Sequence, residues 1–435
     1  MVVVSLYNLV NTFWVARLGY QAVAAITVVL PFSIFAMAVA VGTGIGVNAL
    51  SSRRFGEHNP EASNKATGQS FFLSVVIGLV FLVLTNVFPR QILDLCGATP
   101  DIMEMGEQYL RIFGLGMPLF LFSIIGRNIF HASGDTFRPM VFNVTAQLLN
   151  AALDPFLIFG WGFFPEMGVR GAALATAISS NIGALIYLWF ILRGKTAYRI
   201  RFHHCIPDIR IIKDIYRVGF PSMLMEMTES VVFAIMNNVA SGFGSVTLAA
   251  VGIAGRISDL AFMPILGAAH GLLPIVGFSL GAKLWDRLWR AVKLTTTWLG
   301  IFLAAATILL EIFTPQVVRV FNSDPELVAI AVPGMRIFCS TMMLIGMVII
   351  FVTTFQGLSK GRDAMVLSLT RQFVFFVPGI FLFSYWLGMT GLWLSMPVSD
   401  FLGFVVASIW LFREYRLQKR KNFPEKTASA AESTG

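Results

Sequence analysis

The sequence predicts an all-α polytopic membrane protein with twelve transmembrane helices arranged in two six-helix lobes. Three observations lead to this fold class: the composition, a series of long apolar runs, and an internal repeat. The chain has 435 residues, of which 56% are hydrophobic and only 13% are charged, and its mean hydropathy is +0.76. Soluble globular chains carry about 25% charged residues. The composition excludes a water-soluble enzyme and a basic nucleic-acid-binding domain, so we expect no nucleic-acid partner.

The apolar runs account for the helices one by one. A helix needs roughly 20 apolar residues to cross a bilayer. The first run falls short of that length, with about sixteen residues, and we expect its start to be missing or mis-assigned. The predicted spans are residues 1–17, 20–50, 64–88, 103–131, 137–162, 170–193, 211–241, 246–281, 288–313, 327–357, 362–386 and 390–413.

Lys and Arg are concentrated in every second loop. Loops at 242–245 and 387–390 contain neither residue. By the positive-inside rule, the basic loops are cytoplasmic. We therefore predict a multi-pass protein of the cell membrane with both termini in the cytoplasm. Its net charge of +9 is expected to interact with the anionic inner surface of the lipid bilayer. The basic loops are those around residues 53–65, 127–138, 193–213, 283–293, 360–362 and 413–421.

The two halves of the chain resemble each other. The tripeptide Arg-Ile-Phe at 111–113 recurs at 336–338, and Gly19 is matched by Gly244 at the same offset. Because each half has an even number of spans, the repeats are parallel and their pseudo-twofold axis runs along the membrane normal. This arrangement predicts a substrate path between the lobes and transport by alternating access.

The repeat also predicts the domain organisation. Residues 194–210 are basic and polar, as expected of a cytoplasmic linker between the lobes. The predicted regions are an N-lobe at 1–193, the linker at 194–210, a C-lobe at 211–414 and a disordered cytoplasmic tail at 415–435.

Asp154 is the strongest candidate functional residue, because a charge at membrane depth is costly and usually functional. It lies well inside predicted span five, and Asn150 precedes it by four residues, so the two side chains share one helix face. Pro155 follows and removes a backbone donor, which leaves carbonyl oxygens free nearby. These groups suit either a proton or a small hard cation such as Na⁺. Alternatively, Asp154 only satisfies polar groups of a neighbouring helix.

Two further carboxylates lie in the first half of predicted span seven. Glu226 and Glu229 are three residues apart and therefore point to the same side of the helix. Either could meet a cationic substrate or carry a proton. Glu229 lies deeper and is preferred, whereas Glu226 could also lie in water near the cytoplasmic surface.

The remaining charged residues have simpler interpretations. Arg111 and Arg336 sit at the ends of spans, where snorkelling to the interface accounts for them. For the deeper charges, pairing within or between helices is the preferred interpretation. The expected pairs are Arg256 with Asp259 and Arg371 with Asp400.

Histidines and cysteines give no sign of enzyme chemistry. The five histidines contain no HxxH or HExxH spacing, and the three cysteines are far apart. The consecutive His203, His204 and Cys205 fall in the linker, where we expect them to be solvated. We predict that the protein is not an enzyme and uses no cofactor.

Several segments resemble the multidrug and toxic compound extrusion (MATE) transporters, over essentially all of residues 1–415. Residues 150–160, NAALDPFLIFG, are similar to the span-five signature of that family and are the most specific match. The weaker matches are NTFWVARLG at 11–19, GVRGAA at 168–173, GFP at 219–221 and GSVTLAA at 244–250.

The resemblance implies export of organic cations by antiport against H⁺ or Na⁺. It also implies an N-lobe cation site at Asn11, Asn150, Asp154 and Thr176, with Na⁺ possible at the last three. The family usually has Asp where this chain has Asn11, so one carboxylate is lost and Asp154 is the only titrating group of the site. In other members a span-seven Glu contributes, and Glu229 matches its position.

Other classes of protein are less consistent with these residues. A lipid-linked oligosaccharide flippase of related architecture would need a wide cationic cavity, and the deep acids argue against it. An integral membrane enzyme would need clustered ligands near the interface, and a scaffold would not need the repeat. We expect small-molecule organic cations as substrates and a monomeric protein.

Overall fold

The computed structural model describes residues 14–15, 17–162, 164–321 and 324–422, and within them the chain is helical with short loops. Phe202–Cys205 is a 3₁₀ turn and Thr370–Phe376 is a π-helix. The α-helices are α1 (Tyr20–Gly56), α2 (Pro60–Val87), α3 (Pro89–Leu95), α4 (Met103–Ala132), α5 (Phe137–Phe159), α6 (Val169–Leu192), α7 (Ile209–Ser241), α8 (Ser245–Gly281), α9 (Trp285–Phe321), α10 (Pro325–Cys339), α11 (Met342–Gly357), α12 (Gly361–Leu369), α13 (Val377–Leu387) and α14 (Met389–Asn422).

Within the described residues, ten helical segments are long and apolar enough to cross a membrane, and one of them, Gly361–Leu387, comprises α12, the π-helix and α13. The consecutive α10 and α11, bent by 44° at a short break, make an eleventh span if they are counted as one. These elements coincide with the second to twelfth predicted spans. The predicted first span, and Asn11 within it, lie outside the described residues except for residues 14, 15 and 17.

The last helix is longer than the sequence predicted. α14 continues to Asn422, so residues 415–422 are helical where a disordered tail was expected. These residues are mostly Arg, Lys, Leu and Gln, which are good helix formers and can prolong a helix already started inside the membrane. Residues 423–435 lie outside the described residues.

Matched glycines of the two halves have matched backbone conformations. Gly19 and Gly244 precede α1 and α8 with φ angles of 102° and 105°. Gly168 and Gly388, which directly precede α6 and α14, have φ angles of 56° and 59°. Because residues with a side chain rarely adopt these angles, glycine is needed at each turn. The internal repeat is therefore present in the local structure of the chain.

By its contacts the chain divides into two compact units. The first unit comprises Met1–Glu229, Leu273–Leu284 and Gln356–Arg362. The second unit comprises Ser230–Leu272, Trp285–Phe355 and Asp363–Gly435. The lobe boundaries derived from the repeat stay a prediction.

The first unit is built around α4, which packs against α1, α2 and α6. Small residues allow the close approach: a Cβ atom added at Gly78 would lie 2.5 Å from the Cα of Pro118, and one at Gly116 would lie 2.8 Å from the Cβ of Ala177. Without the hydrophobic driving force that water provides, helices in a membrane associate through such packing. α6 also packs against α5, the helix that carries Asp154.

In the second unit α14 packs against α10, α13 and the π-helix. Gly334 of α10 faces the indole of Trp393 on α14. A π-helix inserts one extra residue per turn and is frequent at functional sites. Here it carries Arg371, whose side chain reaches Asp400 of α14.

Candidate functional site

Asp154 and Asn150 lie on the buried face of α5. The side chain of Asp154 is 0% exposed and that of Asn150 is 2% exposed. Pro155 follows Asp154 inside the helix, so the carbonyl group of Ala151 has no backbone N–H partner one turn later. The helix ends at Gly160, whose φ of 70° is left-handed. The local sequence therefore places a carboxylate, an amide and a free carbonyl on one stretch of helix.

The amide of Asn150 joins α5 to α6. Its Nδ2 donates to Ser179 Oγ at 3.0 Å and to Thr176 Oγ1 at 3.3 Å. The sequence predicted that Asn150, Asp154 and Thr176 share a site, and the structure joins Asn150 directly to Thr176. Ser179 was not predicted. It lies three residues after Thr176 on α6, so the helical spacing alone could have indicated it.

Three side-chain oxygens of this site lack hydrogen-bond donors among the described residues. Both carboxylate oxygens of Asp154 and the Oδ1 of Asn150 are buried and accept no hydrogen bond from the described residues. A buried charge without a partner is strongly destabilising, so a proton or a cation must accompany it. The donors available are carboxylate, amide and hydroxyl oxygens, which are the ligands that hard cations prefer.

An aromatic and aliphatic cluster surrounds this end of α5. Tyr109 of α4 lies close enough to Asp154 for an electrostatic interaction between them. Val15, Ile158 and Ala172 form a buried cluster, against which Trp14 packs. This apolar wall lowers the local dielectric response and strengthens any interaction of the carboxylate with a cation.

Glu226 and Glu229 occupy a different environment from Asp154. Both side chains are exposed on the surface of α7. Glu226 interacts electrostatically with Glu229 and with Arg127 of α4. The charge pattern placed Arg127 at a cytoplasmic turn, and this is wrong: the residue lies half-buried inside α4, five residues before that helix ends at Ala132. Arg127 is a charged neighbour of the span-seven acids that the sequence analysis missed.

Three of the other charged residues form ion pairs, one of which was predicted, and the snorkelling expected of Arg111 and Arg336 stays a prediction. Arg371 Nη1 lies 2.9 Å from Asp400 Oδ1, which confirms the predicted pair. Arg111 pairs with Glu107 at 2.8 Å, and Arg336 lies 3.7 Å from Glu311. The side chain of Asp259, the expected partner of Arg256, lies outside the described residues.

The linker is docked on α2. Gln69 Nε2 donates to the carbonyl oxygens of His204 and Ile206 at 3.0 and 2.7 Å, and Gln69 Oε1 accepts from the backbone N–H of Asp208 at 3.0 Å. The expectation that His204 is solvated is wrong, because its side chain is only 2% exposed. Burial also raises the pKa of the Cys205 thiol.

His204 is held by hydrogen bonds rather than arranged for a metal ion. Its Nδ1 accepts from the backbone N–H of Arg201 at 3.0 Å, and its Nε2 lies 3.0 Å from Glu61 Oε1. With Nδ1 an acceptor, the proton of the neutral ring is on Nε2, which donates to Glu61. No lone pair is then left for a metal, although His203 stands beside the same carboxylate at 3.4 Å.

A bundle of membrane-spanning helices with an internal repeat and a buried polar site inside the first half is the arrangement of a membrane transporter. The model of the MatE family matches residues 1–156 and 221–382. The chain belongs to this family, the MATE transporters, and is not an enzyme.

Individual relatives agree with this assignment. The chain is 25% identical over 418 residues to the multidrug export protein MepA of Staphylococcus haemolyticus (strain JCSC1435), covering 95% of this chain and 90% of the relative. It is 25% identical over 406 residues to the FAD transporter of Shewanella oneidensis (strain ATCC 700550 / JCM 31522 / CIP 106686 / LMG 19005 / NCIMB 14063 / MR-1), with coverages of 91% and 88%.

A solved outward-facing structure of a multidrug resistance MATE family transporter superposes with a TM-score of 0.90 at 26% identity, over 97% of this chain and 94% of that one. The predicted all-α fold with twelve spans in two lobes is thereby confirmed. The resemblance noted from the sequence is confirmed as well.

Proposed function

We propose that this protein exports organic cations or drugs from the cell by antiport against H⁺ or Na⁺, with Asp154 as the coupling carboxylate. The observation that carries the proposal is the complete burial of Asp154 with no hydrogen bond to its oxygens from the described residues. The name of the multidrug export relatives supports drugs as substrates. We also propose a monomer in the cell membrane with both termini in the cytoplasm.

In the proposed cycle, a proton or Na⁺ from outside neutralises Asp154 and makes its burial favourable. The helices of the N-lobe then bend or repack, and the bound organic cation is released outward. A new substrate binds the inward-facing state in which Asp154 has lost its positive partner. The coupling ion and the substrate shift the equilibrium between the inward-facing and outward-facing states, because each of them binds one state better than the other.

Asn150 and Thr176 have supporting roles in this proposal. The bond from Asn150 Nδ2 to Thr176 Oγ1 turns the amide so that its Oδ1 is free. That oxygen, the Thr176 hydroxyl and the Asp154 carboxylate together would ligate Na⁺. Asn11 would complete the site as a neutral fourth group, which weakens Na⁺ binding compared with an Asp.

Glu229, with Glu226, is proposed to meet the substrate or a proton in the second half of the path. Their exposed carboxylates stand three residues apart on α7 and repel each other, so a cation beside them is favoured. Arg127 opposes this effect at Glu226. Glu229, which lies deeper in predicted span seven, is the proposed partner for an organic cation.

The proposal is tested by dye efflux in an efflux-deficient host carrying wild-type protein, Asp154→Asn or Asp101→Asn. Asp101 lies exposed in a turn and provides a matched control. We expect Asp154→Asn to reduce efflux to the level of the empty vector, and Asp101→Asn to retain it at equal expression. Wild-type efflux by Asp154→Asn would overturn the assigned role.

Two gradients distinguish the coupling ions. Proteoliposomes with an imposed pH gradient in Na⁺-free buffer should take up substrate if H⁺ is the coupling ion, and an imposed Na⁺ gradient at equal pH should drive uptake if it is Na⁺. The substrate panel includes an organic cation and, because one relative is named as an FAD transporter, FAD. Transport of FAD alone would contradict the organic-cation assignment.

A further inference from the structure

The second unit contains a cavity of about 870 Å³ that plays no part in the proposed cycle. It lies between the first half of α9 and the last turns of α14, and Phe351 of α11 contributes to its wall. Both helix ends carry loops that the charge pattern predicts to be cytoplasmic. Its volume is within the range of small-molecule sites, which is roughly 300–1,000 Å³.

Part of the cavity lining is apolar and largely aromatic. Trp289 of α9 and Tyr415 of α14 meet edge to face with ring centroids 5.1 Å apart. Phe351 and Phe412 extend this wall toward the membrane-spanning part of both helices. Tryptophan and tyrosine are favoured at the level of lipid headgroups, where an apolar body and a polar tip are both satisfied.

Another part of the lining is cationic. Arg290 and Lys293 of α9 and Lys419 of α14 line the cavity, and Asp286 is the one acidic residue among the described residues of its lining. The three basic side chains are exposed. They therefore form a rim that attracts an anion and disfavours the organic cations proposed as transport substrates.

Two hydroxyl groups also belong to the lining of the cavity. Thr296 Oγ1 and Ser408 Oγ are buried and form no hydrogen bond within the described part of the chain. A buried hydroxyl without a partner is unfavourable, so each is ready to bond an oxygen of a bound molecule. Phosphate or glycerol oxygens would satisfy both.

We propose that this cavity binds an anionic phospholipid of the leaflet that the charge pattern predicts to be cytoplasmic. Arg290, Lys293 and Lys419 hold the phosphate, the two hydroxyls bond headgroup or glycerol oxygens, and an acyl chain follows the aromatic wall. A free phosphate would use the rim but not the wall, and a zwitterionic lipid would use the wall but gain less from the rim. Basic pockets between membrane helices are suited to such headgroups.

The test measures lipid retention by native mass spectrometry on the purified, delipidated full-length protein. Phosphatidylglycerol, phosphatidylcholine and inorganic phosphate are added separately to wild type, to Lys293→Gln/Lys419→Gln, and to the control Arg413→Gln/Arg420→Gln. The control removes two exposed charges of α14 that do not line the cavity. We expect the first variant to lose phosphatidylglycerol affinity roughly 30-fold and the control to lose little.

A second pair of variants tests the interior of the cavity without touching the rim. Trp289→Ala and Thr296→Val should each weaken phosphatidylglycerol binding while the basic rim is intact. The proposal would be overturned if wild type bound phosphatidylcholine as tightly as phosphatidylglycerol. It would also be overturned if inorganic phosphate displaced the lipid and Trp289→Ala bound phosphatidylglycerol as tightly as wild type. Equal losses in the cavity variant and the Arg413→Gln/Arg420→Gln control would also overturn it, because the attraction would then be general to the basic surface.

Discussion

Two aspartates are buried in the part of the chain that the structure describes, and their surroundings are opposite. Asp400, on α14, accepts from Arg371 Nη1 at 2.9 Å and from Thr341 Oγ1 at 3.1 Å. Asp154, on α5, accepts no hydrogen bond from the described residues, although it is even more completely buried. Thr341 lies at the break between α10 and α11, so Asp400 also holds that bend.

In the proposed function, this difference separates the structural charge of Asp400 from the coupling charge of Asp154. A carboxylate paired with a guanidinium is neutralised permanently, and removing one partner leaves the other as an uncompensated buried charge. A carboxylate without a protein partner must exchange a proton or a cation with water. What distinguishes Asp154 from Asp400 is therefore not burial but the lack of a hydrogen-bond partner among the described residues.

The largest expected effect is the difference between two single variants, Asp400→Asn and Asp154→Asn. Asp400→Asn leaves Arg371 buried and unpaired and should lower the free energy of unfolding by about 3–5 kcal/mol. Asp154→Asn removes no ion pair and should change it by less than about 1 kcal/mol while abolishing transport. Thermal unfolding in detergent and dye efflux measure the two effects. A loss of stability at Asp154 equal to that at Asp400 would show that the comparison is wrong.

Replacing the whole Arg371–Asp400 pair sharpens the same comparison. In the double variant Arg371→Met/Asp400→Leu neither charge remains, so most of the stability lost in Asp400→Asn should return. Transport should return with it if the pair is only structural. Recovered folding without recovered transport would assign the pair a part in the cycle.

The amide bridge beside Asp154 should have a smaller effect. Asn150→Ala leaves the hydroxyls of Ser179 and Thr176 without their donor and should lower the free energy of unfolding by about 1–3 kcal/mol. Ser179→Ala removes one bond and should cost about 1 kcal/mol. Substrate uptake at varied Na⁺ or pH then shows whether Asn150 serves the coupling ion beyond this structural bond; an unchanged ion dependence in Asn150→Ala would exclude it from the site.

Restoring a second carboxylate tests the composition of the site. Asn11→Asp adds a negative charge where the family usually has one, and should tighten cation binding about tenfold. The measurement is the Na⁺ or proton concentration that gives half-maximal uptake, with Asn8→Asp as a control on the same predicted span. An unchanged ion dependence would place Asn11 outside the site.

The smallest expected effect concerns the docked linker. Because burial raises the pKa of the Cys205 thiol, its reactive thiolate forms only at a higher pH than in a free cysteine. Maleimide labelling of Cys205 should therefore be slow near pH 7. The control variant is Cys205→Ser/Ala197→Cys, which moves the thiol to an exposed position. The labelling rate of Cys205 should rise at a higher pH than the labelling rate of this new thiol. Identical pH profiles would indicate that the linker is not docked on α2 when the protein is in a membrane. Labelling from the cytoplasmic side alone also tests the predicted topology.

The sequence predicted the fold well, because the signals for membrane helices are local. Eleven of the twelve predicted spans coincide with described helices or with the bent pair α10 and α11. The Asn150–Thr176 contact could be anticipated only from the family resemblance, since the two residues lie 26 positions apart on different helices. Ser179 could have been found from helical spacing.

Other features required the packed structure. His204 was misjudged because adjacent polar residues in a linker suggest solvation, whereas Glu61 and Gln69 of α2 bury it. Arg127 was placed in a loop because positive charge near a turn is typical of a cytoplasmic loop. For His204 a partner distant in sequence changed the environment of the residue, whereas Arg127 lies inside a helix rather than in the loop that follows it.

The amino-acid sequence by itself determined that this chain spans a membrane, is duplicated, and carries an aspartate at membrane depth, because hydrophobicity, periodicity and charge act over a single helix. Only the tertiary structure decided that Asp400 has a guanidinium partner, that Asp154 has no partner among the described residues, and that basic and aromatic residues of α9 and α14 enclose one cavity. The physical reason is that pairing and enclosure depend on which helix faces meet, and that is settled by packing between helices.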